Sequence, residues 1–139
     1  GYFTRWAGMF LSTFVPDGTE MESASLDGEQ WDGRLRRFRD HDYLVQQLLI
    51  EPGGRAKLSA SYRVPEAATA SDDVLTYRLA VDSQGLVIPQ QLNLRVTLPE
   101  GYAVSEAPEG WTIDGSTVSF STDALDASQE WTLVAKADN

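Results

Sequence analysis

The residue types in this chain best suited to chemistry are guanidinium groups, carboxylates and indoles, and the spacing of each set decides what it can do. Arg34, Arg36, Arg37 and Arg39 form the main basic cluster. A planar guanidinium fork suits phosphate or carboxylate oxygens, such as those of an anionic cell-wall polymer. The same four charges also suit a solvated edge strand, where they deter pairing with another strand and balance nearby acids. Asp40, His41 and Asp42 contain the only histidine. Adjacent strand residues point to opposite faces, and no second histidine and no cysteine completes a ligand set, so no metal site is expected there. Trp6, Trp31, Trp111 and Trp131, with five tyrosines, offer ring faces that either stack on sugars or fill the core of a small sandwich. Trp131 lies on the apolar side of its strand and is expected in the core. Trp31 and Trp111 lie in or beside turns and are the candidates for exposed stacking rings.

The remaining carboxylates, among them Asp72, Asp73, Asp123 and Asp126, are scattered through turns and do not make the Asp-x-Asp-x-Asp-Gly spacing of a calcium loop. Glycoside hydrolysis needs only two carboxylates, but nothing marks a particular pair. With one histidine, no cysteine and no Gly-x-Ser-x-Gly elbow, the usual nucleophilic triads have no material. The chain is read as non-enzymatic, with no cofactor.

Composition narrows the partners. The net charge is -10, from 21 acids and 11 bases. That balance repels nucleic acid and anionic membranes and opposes the counterion release on which nucleic-acid binding depends. Residues 1–69 carry 10 acids and 8 bases, whereas residues 70–139 carry 11 acids and 3 bases, so the second half is the acidic one. No apolar run approaches the roughly 20 residues of a membrane helix, so membrane insertion by this region is not expected. The start at Gly1 suggests a fragment, and any anchor or export signal is expected outside it.

These side chains must be positioned by strands. Ala56, Leu58, Ala60, Tyr62 and Val64 alternate with Arg55, Lys57, Ser59, Ser61 and Arg63, the pattern of a strand with one wet face. Similar alternation marks Leu75 to Val81, Leu92 to Leu98, Val118 to Phe120 and Trp131 to Ala135. Less regular segments at 9–15, 19–26, 34–38 and 43–50 bring the expected strands to about ten. Turn chemistry separates them: Pro16-Asp17-Gly18, Asp27-Gly28, Asp32-Gly33, Glu51-Pro52-Gly53-Gly54, Ser83-Gln84-Gly85, Pro99-Glu100-Gly101 and Asp114-Gly115. The Ala-rich stretch Glu66 to Ser71 reads as a linker or crossover.

Phe14-Val15-Pro16-Asp17-Gly18, followed by Asp32-Gly33, recurs as Thr97-Leu98-Pro99-Glu100-Gly101, followed by Asp114-Gly115. A final alternating strand closes each copy, Ala56 to Val64 and Trp131 to Ala137. The expectation is an all-β, antiparallel immunoglobulin-like β-sandwich built as two related units in tandem, residues 1–66 and 67–139, whether separate or packed as one sandwich.

Several segments carry a resemblance: Phe14-Val15-Pro16-Asp17-Gly18-Thr19-Glu20-Met21, Leu49-Ile50-Glu51-Pro52-Gly53-Gly54, Ala60-Ser61-Tyr62-Arg63-Val64-Pro65, Thr76-Tyr77-Arg78-Leu79, and Val87 through Tyr102. Together they resemble the C-terminal part of bacterial, largely actinobacterial, surface proteins grouped as domain of unknown function 4012. The resemblance implies a membrane-anchored, outward-facing protein with no assigned activity and no family catalytic residues. The resulting expectation is a structural or adhesive extracellular module facing other domains of its parent chain. The alternative is a binder of cell-wall glycan or anionic polymer through Arg34, Arg36, Arg37, Arg39, Trp31 and Trp111.

Overall fold

The structure is a computed structural model that describes residues 7–39, 41–84 and 88–138. Trp6, Asp40, Gly85 and Val87, which figure in the sequence motifs above, lie outside the described residues. The chain is all-β, and every strand pairing among the described residues is antiparallel. Among the described residues no helix is long and apolar enough to cross a membrane. It divides into two compact units, Gly1–Pro65 and Glu66–Asn139.

The first unit contains β1 (Ala7–Val15), β2 (Glu20–Leu26), β3 (Glu29–Gln30), β4 (Arg36–Phe38), β5 (His41–Ile50) and β6 (Leu58–Arg63). They form two sheets in the orders β1-β5-β4 and β3-β2-β6. Asp27 and Gly28 both have positive φ, the requirement of the two-residue turn that folds β3 back on β2. Asp27 also fixes the register of β2 against β6. Its N–H donates to the Lys57 carbonyl at 2.8 Å while its carboxylate accepts the Lys57 N–H at 2.7 Å. The core holds Val15, Ala24, Leu44 and Leu48.

Gly33 shows how closely this core is drawn together. A Cβ there would lie 2.6 Å from the Ala24 Cβ and 3.6 Å from Leu44 Cδ2. Both Cβ atoms are fixed to backbone, so no rotamer change relieves the clash. Gly33→Ala is expected to destabilise this unit by about 1–3 kcal/mol through overpacking, measured by denaturant titration. An unchanged midpoint would contradict the packing described.

The second unit contains β7 (Ala68–Ser71), β8 (Val74–Val81), β9 (Gln90–Thr97), β10 (Tyr102–Glu106), β11 (Thr112–Asp114), β12 (Thr117–Leu125) and β13 (Gln129–Ala137). Its sheets run β10-β13-β8-β7 and β11-β12-β9. Of the stretch expected to be a linker or crossover at 66–71, the first two residues follow the boundary between the units and Ala68–Ser71 forms β7. A two-residue turn through Asp72, at φ 51, pairs it with β8. Alanine and threonine there gain a hydrogen-bonded ladder that an isolated helical turn would lack. Leu98, Val118, Leu125, Trp131, Leu133 and Ala135 make the core. The rings of Phe120 and Trp131, from opposite sheets, sit 5.0 Å apart.

The second unit is thus built from one antiparallel sheet of four strands and one of three. The last strand, β13, lies between β8 and β10, while β11 is held to β12 by the tight turn at Gly115.

The two units share a pairing scheme. β1-β5-β4 corresponds to β9-β12-β11, and β2-β6 to β10-β13. Pro16 and Pro99 each open a turn in which the residue three positions on donates its N–H to the proline carbonyl at 3.3 Å, with Gly18 and Gly101 at positive φ. The β2·β6 ladder is interrupted between Met21 and Ser23, and the β10·β13 ladder at the matching place between Val104 and Glu106. Leu44 and Val118, the two large side chains buried completely among the described residues, occupy corresponding positions on β5 and β12.

Candidate interaction surface

The register of β1 against β5 sorts their side chains onto two faces. Leu11, Thr13 and Val15 share a face with Leu44 and Leu48, the core side. The other face carries Gly8, Phe10, Ser12 and Phe14, opposite Leu49, Gln47, Val45 and Tyr43. β4 extends it with Arg36 opposite Tyr43 and Phe38 opposite His41. The result is an apolar outer surface: Phe10 is 73% exposed, Leu49 66%, Phe14 59% and Phe38 58%. Phe14 lies 5.7 Å from the Tyr43 ring and 6.1 Å from the His41 ring, tilted to the first by 39° and edge-on to the second at 82°.

The corresponding face of the second unit is polar. Asn93, Arg95 and Thr97 on β9 stand opposite Ser121, Ser119 and Thr117 on β12. Large exposed apolar side chains are normal when isolated, but a contiguous set on a sheet face marks a contact surface. Charge separates the units in the same way. Residues 1–65 carry nine acids and eight bases, and residues 66–139 carry twelve acids and three bases. The apolar face therefore belongs to the nearly neutral unit.

The arginine cluster is dispersed. Arg34 pairs with Asp32 at 2.8 Å, with both groups largely exposed. Arg37 points away from Arg36 and bonds Asp17 at 2.9 Å and Asp42 at 3.5 Å, while Asp42 accepts the Gly18 N–H at 3.3 Å. Arg37 thus braces the Pro16 turn. Arg36 lies at the rim of the aromatic face. Arg39, at φ 55 in the turn between β4 and β5, places its guanidinium carbon 5.5 Å from the Phe38 ring centre. Of the expected tetrad, only Arg36 and Arg39 therefore share a surface.

Neither Trp31 nor Trp111 is exposed. Trp31 is half-buried beside Gly33, with its backbone N–H on the Ala24 carbonyl at 2.9 Å. Trp111 is half-buried in the second unit's core, 5.7 Å from both Phe120 and Trp131, and its indole Nε1 is buried with no acceptor among the described residues. Trp111 faces the core because the turn Pro108-Glu109-Gly110 folds it onto Phe120. The Trp111 N–H donates to the Pro108 carbonyl, and Gly110 has positive φ. Trp131 is in the core, as its strand position predicts. His41 packs on Phe14 while Asp42 turns to Arg37 and Gly18, so these neighbours diverge as strand geometry requires.

Sequence reasoning missed the aromatic face itself. Phe10, Phe14, Phe38, Tyr43 and Leu49 read singly as strand residues, and only cross-strand register collects them. A shallow depression elsewhere in this unit has four serines, Ser23, Ser25, Ser59 and Ser61, paired across β2 and β6. Its lining contains no charged group.

Fold and surface thus define an all-β chain with an exposed apolar sheet face in its first unit. No family model, curated protein or solved structure matches it.

Proposed function

We propose that the chain is a non-catalytic structural and adhesive module of an extracytoplasmic bacterial surface protein, anchored by a segment elsewhere in its parent chain. The observation that carries this is the apolar outer face of Phe10, Phe14, Phe38, Tyr43 and Leu49 in one unit, where the matching face of the other is threonine, serine, asparagine and arginine. Aromatic centres with an arginine rim are the composition of a protein–protein contact. The partner it fits is another protein domain with an apolar patch, such as one from the parent chain. The family resemblance supports the outward location, and the acidic second unit suits a spacer that resists association with anionic surfaces.

The alternative, a site for glycan or anionic polymer, is favoured by Arg36 and Arg39 on the same rim. Phe14 meets Tyr43 tilted by 39° and His41 edge-on at 82°, which gives that reading less support, because sugar stacking prefers rings laid in one plane.

The double variant Phe10→Ser with Phe14→Thr copies the polar character of the second unit. It is expected to weaken binding to envelope proteins by about 100-fold, since two central aromatic anchors each contribute on the order of 1–2 kcal/mol. Folding should be retained because both rings are exposed. Binding to purified wall polysaccharide that survives this variant, and is lost in Arg36→Glu with Arg39→Glu, would overturn the proposal in favour of the polymer.

A further inference from the structure

In the second unit, β13 is flanked on both edges, by β10 and β8. Its counterpart β6 pairs on one edge only, with β2, among the described residues. The matching ladder interruptions align the two strands residue by residue, so Leu58, Ala60 and Tyr62 correspond to Trp131, Leu133 and Ala135. The second set is 6%, 3% and 1% exposed. In the first set Leu58 is half-buried, Ala60 is exposed and Tyr62 is 42% exposed. β8 sets Leu79, Tyr77 and Leu75 directly opposite Trp131, Leu133 and Ala135, neighbours that Leu58, Ala60 and Tyr62 lack among the described residues.

An uncovered strand edge offers a row of unmet N–H and C=O groups, and proteins usually blunt such edges with charge, proline or a bulge. Lys57 and Arg63 flank this one and Pro65 follows, but Leu58 to Tyr62 contains neither charge nor proline. The edge is therefore open to pairing at its centre, and the apolar side chains needing cover lie there.

We propose that β6 is a strand acceptor, completed by an antiparallel strand from a polypeptide segment outside these 139 residues. Its occupant is an extended run of about eight residues with apolar side chains at alternate positions, opposite Leu58, Ala60 and Tyr62, in the manner of β-strand addition. Main-chain hydrogen bonds supply the attachment and the alternate apolar positions set the register. This goes beyond the proposed adhesive role, since it uses a sheet edge in the β3-β2-β6 sheet and none of the aromatic residues of the other.

The probe is a synthetic peptide with the sequence of Asp73 to Asp82, added to the intact chain and followed by amide hydrogen exchange. The expected result is exchange slowed about ten-fold or more at Leu58–Arg63, with Gln129–Ala137 unchanged. A peptide of the same composition with its alternation scrambled should give no protection. Ala60→Lys, at an exposed position, should weaken the effect about ten-fold or more by setting a charge on the docking row. Absence of protection at β6, equal protection by the scrambled peptide, or an unaltered response in Ala60→Lys would overturn the proposal. So would protection changes confined to β13, which would mean the peptide replaces β8. Protection of β6 without peptide, rising with chain concentration alongside a doubled mass, would assign the edge to a second copy and overturn it too.

Discussion

Trp131→Ala is expected to lower the stability of the second unit by about 3–5 kcal/mol, the range for removing a large aromatic from a packed core. Trp131 is buried on β13, lies 5.0 Å from the Phe120 ring on the facing sheet, and meets Trp111 edge-on at 5.7 Å. Truncation therefore removes the side chain that joins the two sheets and leaves the other two rings facing a void. A unit of this size holds a total stability of about 4–11 kcal/mol, so the loss takes about a quarter of it or more. Trp131→Phe keeps a ring in place and should cost markedly less. Guanidinium titration followed by far-UV circular dichroism measures both. A loss below about 1 kcal/mol for alanine would show that the cluster contributes little beyond the aliphatic core around it.

How much of this was legible in the sequence depended on whether local pattern sufficed. Alternation and turn residues located the long strands, and Trp131 was placed in the core because its strand carries one apolar row. Short strands escaped: β3 and β11 span two and three residues, too few to alternate. β7 escaped because Ala68 to Ser71 has helix-like composition, and its strand state comes from pairing with β8. Trp111 shows the opposite limit, since its neighbouring turn suggested exposure while the chain beyond that turn folds the indole inward. The aromatic face was invisible for a different reason. Phe14 and Tyr43, or Phe38 and His41, come together only through the registers of β1, β4 and β5, which no single segment encodes. The cleanest alternation, around Ala56 to Val64, lies on β6, where neither face is fully covered. Periodicity there reports what the strand is suited to bury.

Leu44→Ala tests that last point from inside the same unit. Leu44 is completely buried at the position that Val118 occupies in the second unit, and its truncation is expected to cost about 2–5 kcal/mol. Val118→Ala removes two methyl groups and should cost less, about 1.5 kcal/mol plus any cavity that remains. The consequence is unequal as well, because among the described residues the first unit's buried apolar set is Val15, Ala24, Leu44 and Leu48, without a buried aromatic and with β6 paired on one edge only. Leu44→Ala should therefore abolish amide protection in β1, β2 and β5, while Val118→Ala leaves β12 and β13 protected. A strand bound to β6 favours only the folded form, adding about 2.7 kcal/mol at a hundred times its dissociation constant. The Asp73 to Asp82 peptide should then return protection to β1, β2 and β5 in Leu44→Ala and leave Val118→Ala unchanged. If Leu44→Ala keeps its protection without peptide, the first unit has a source of stability other than this core.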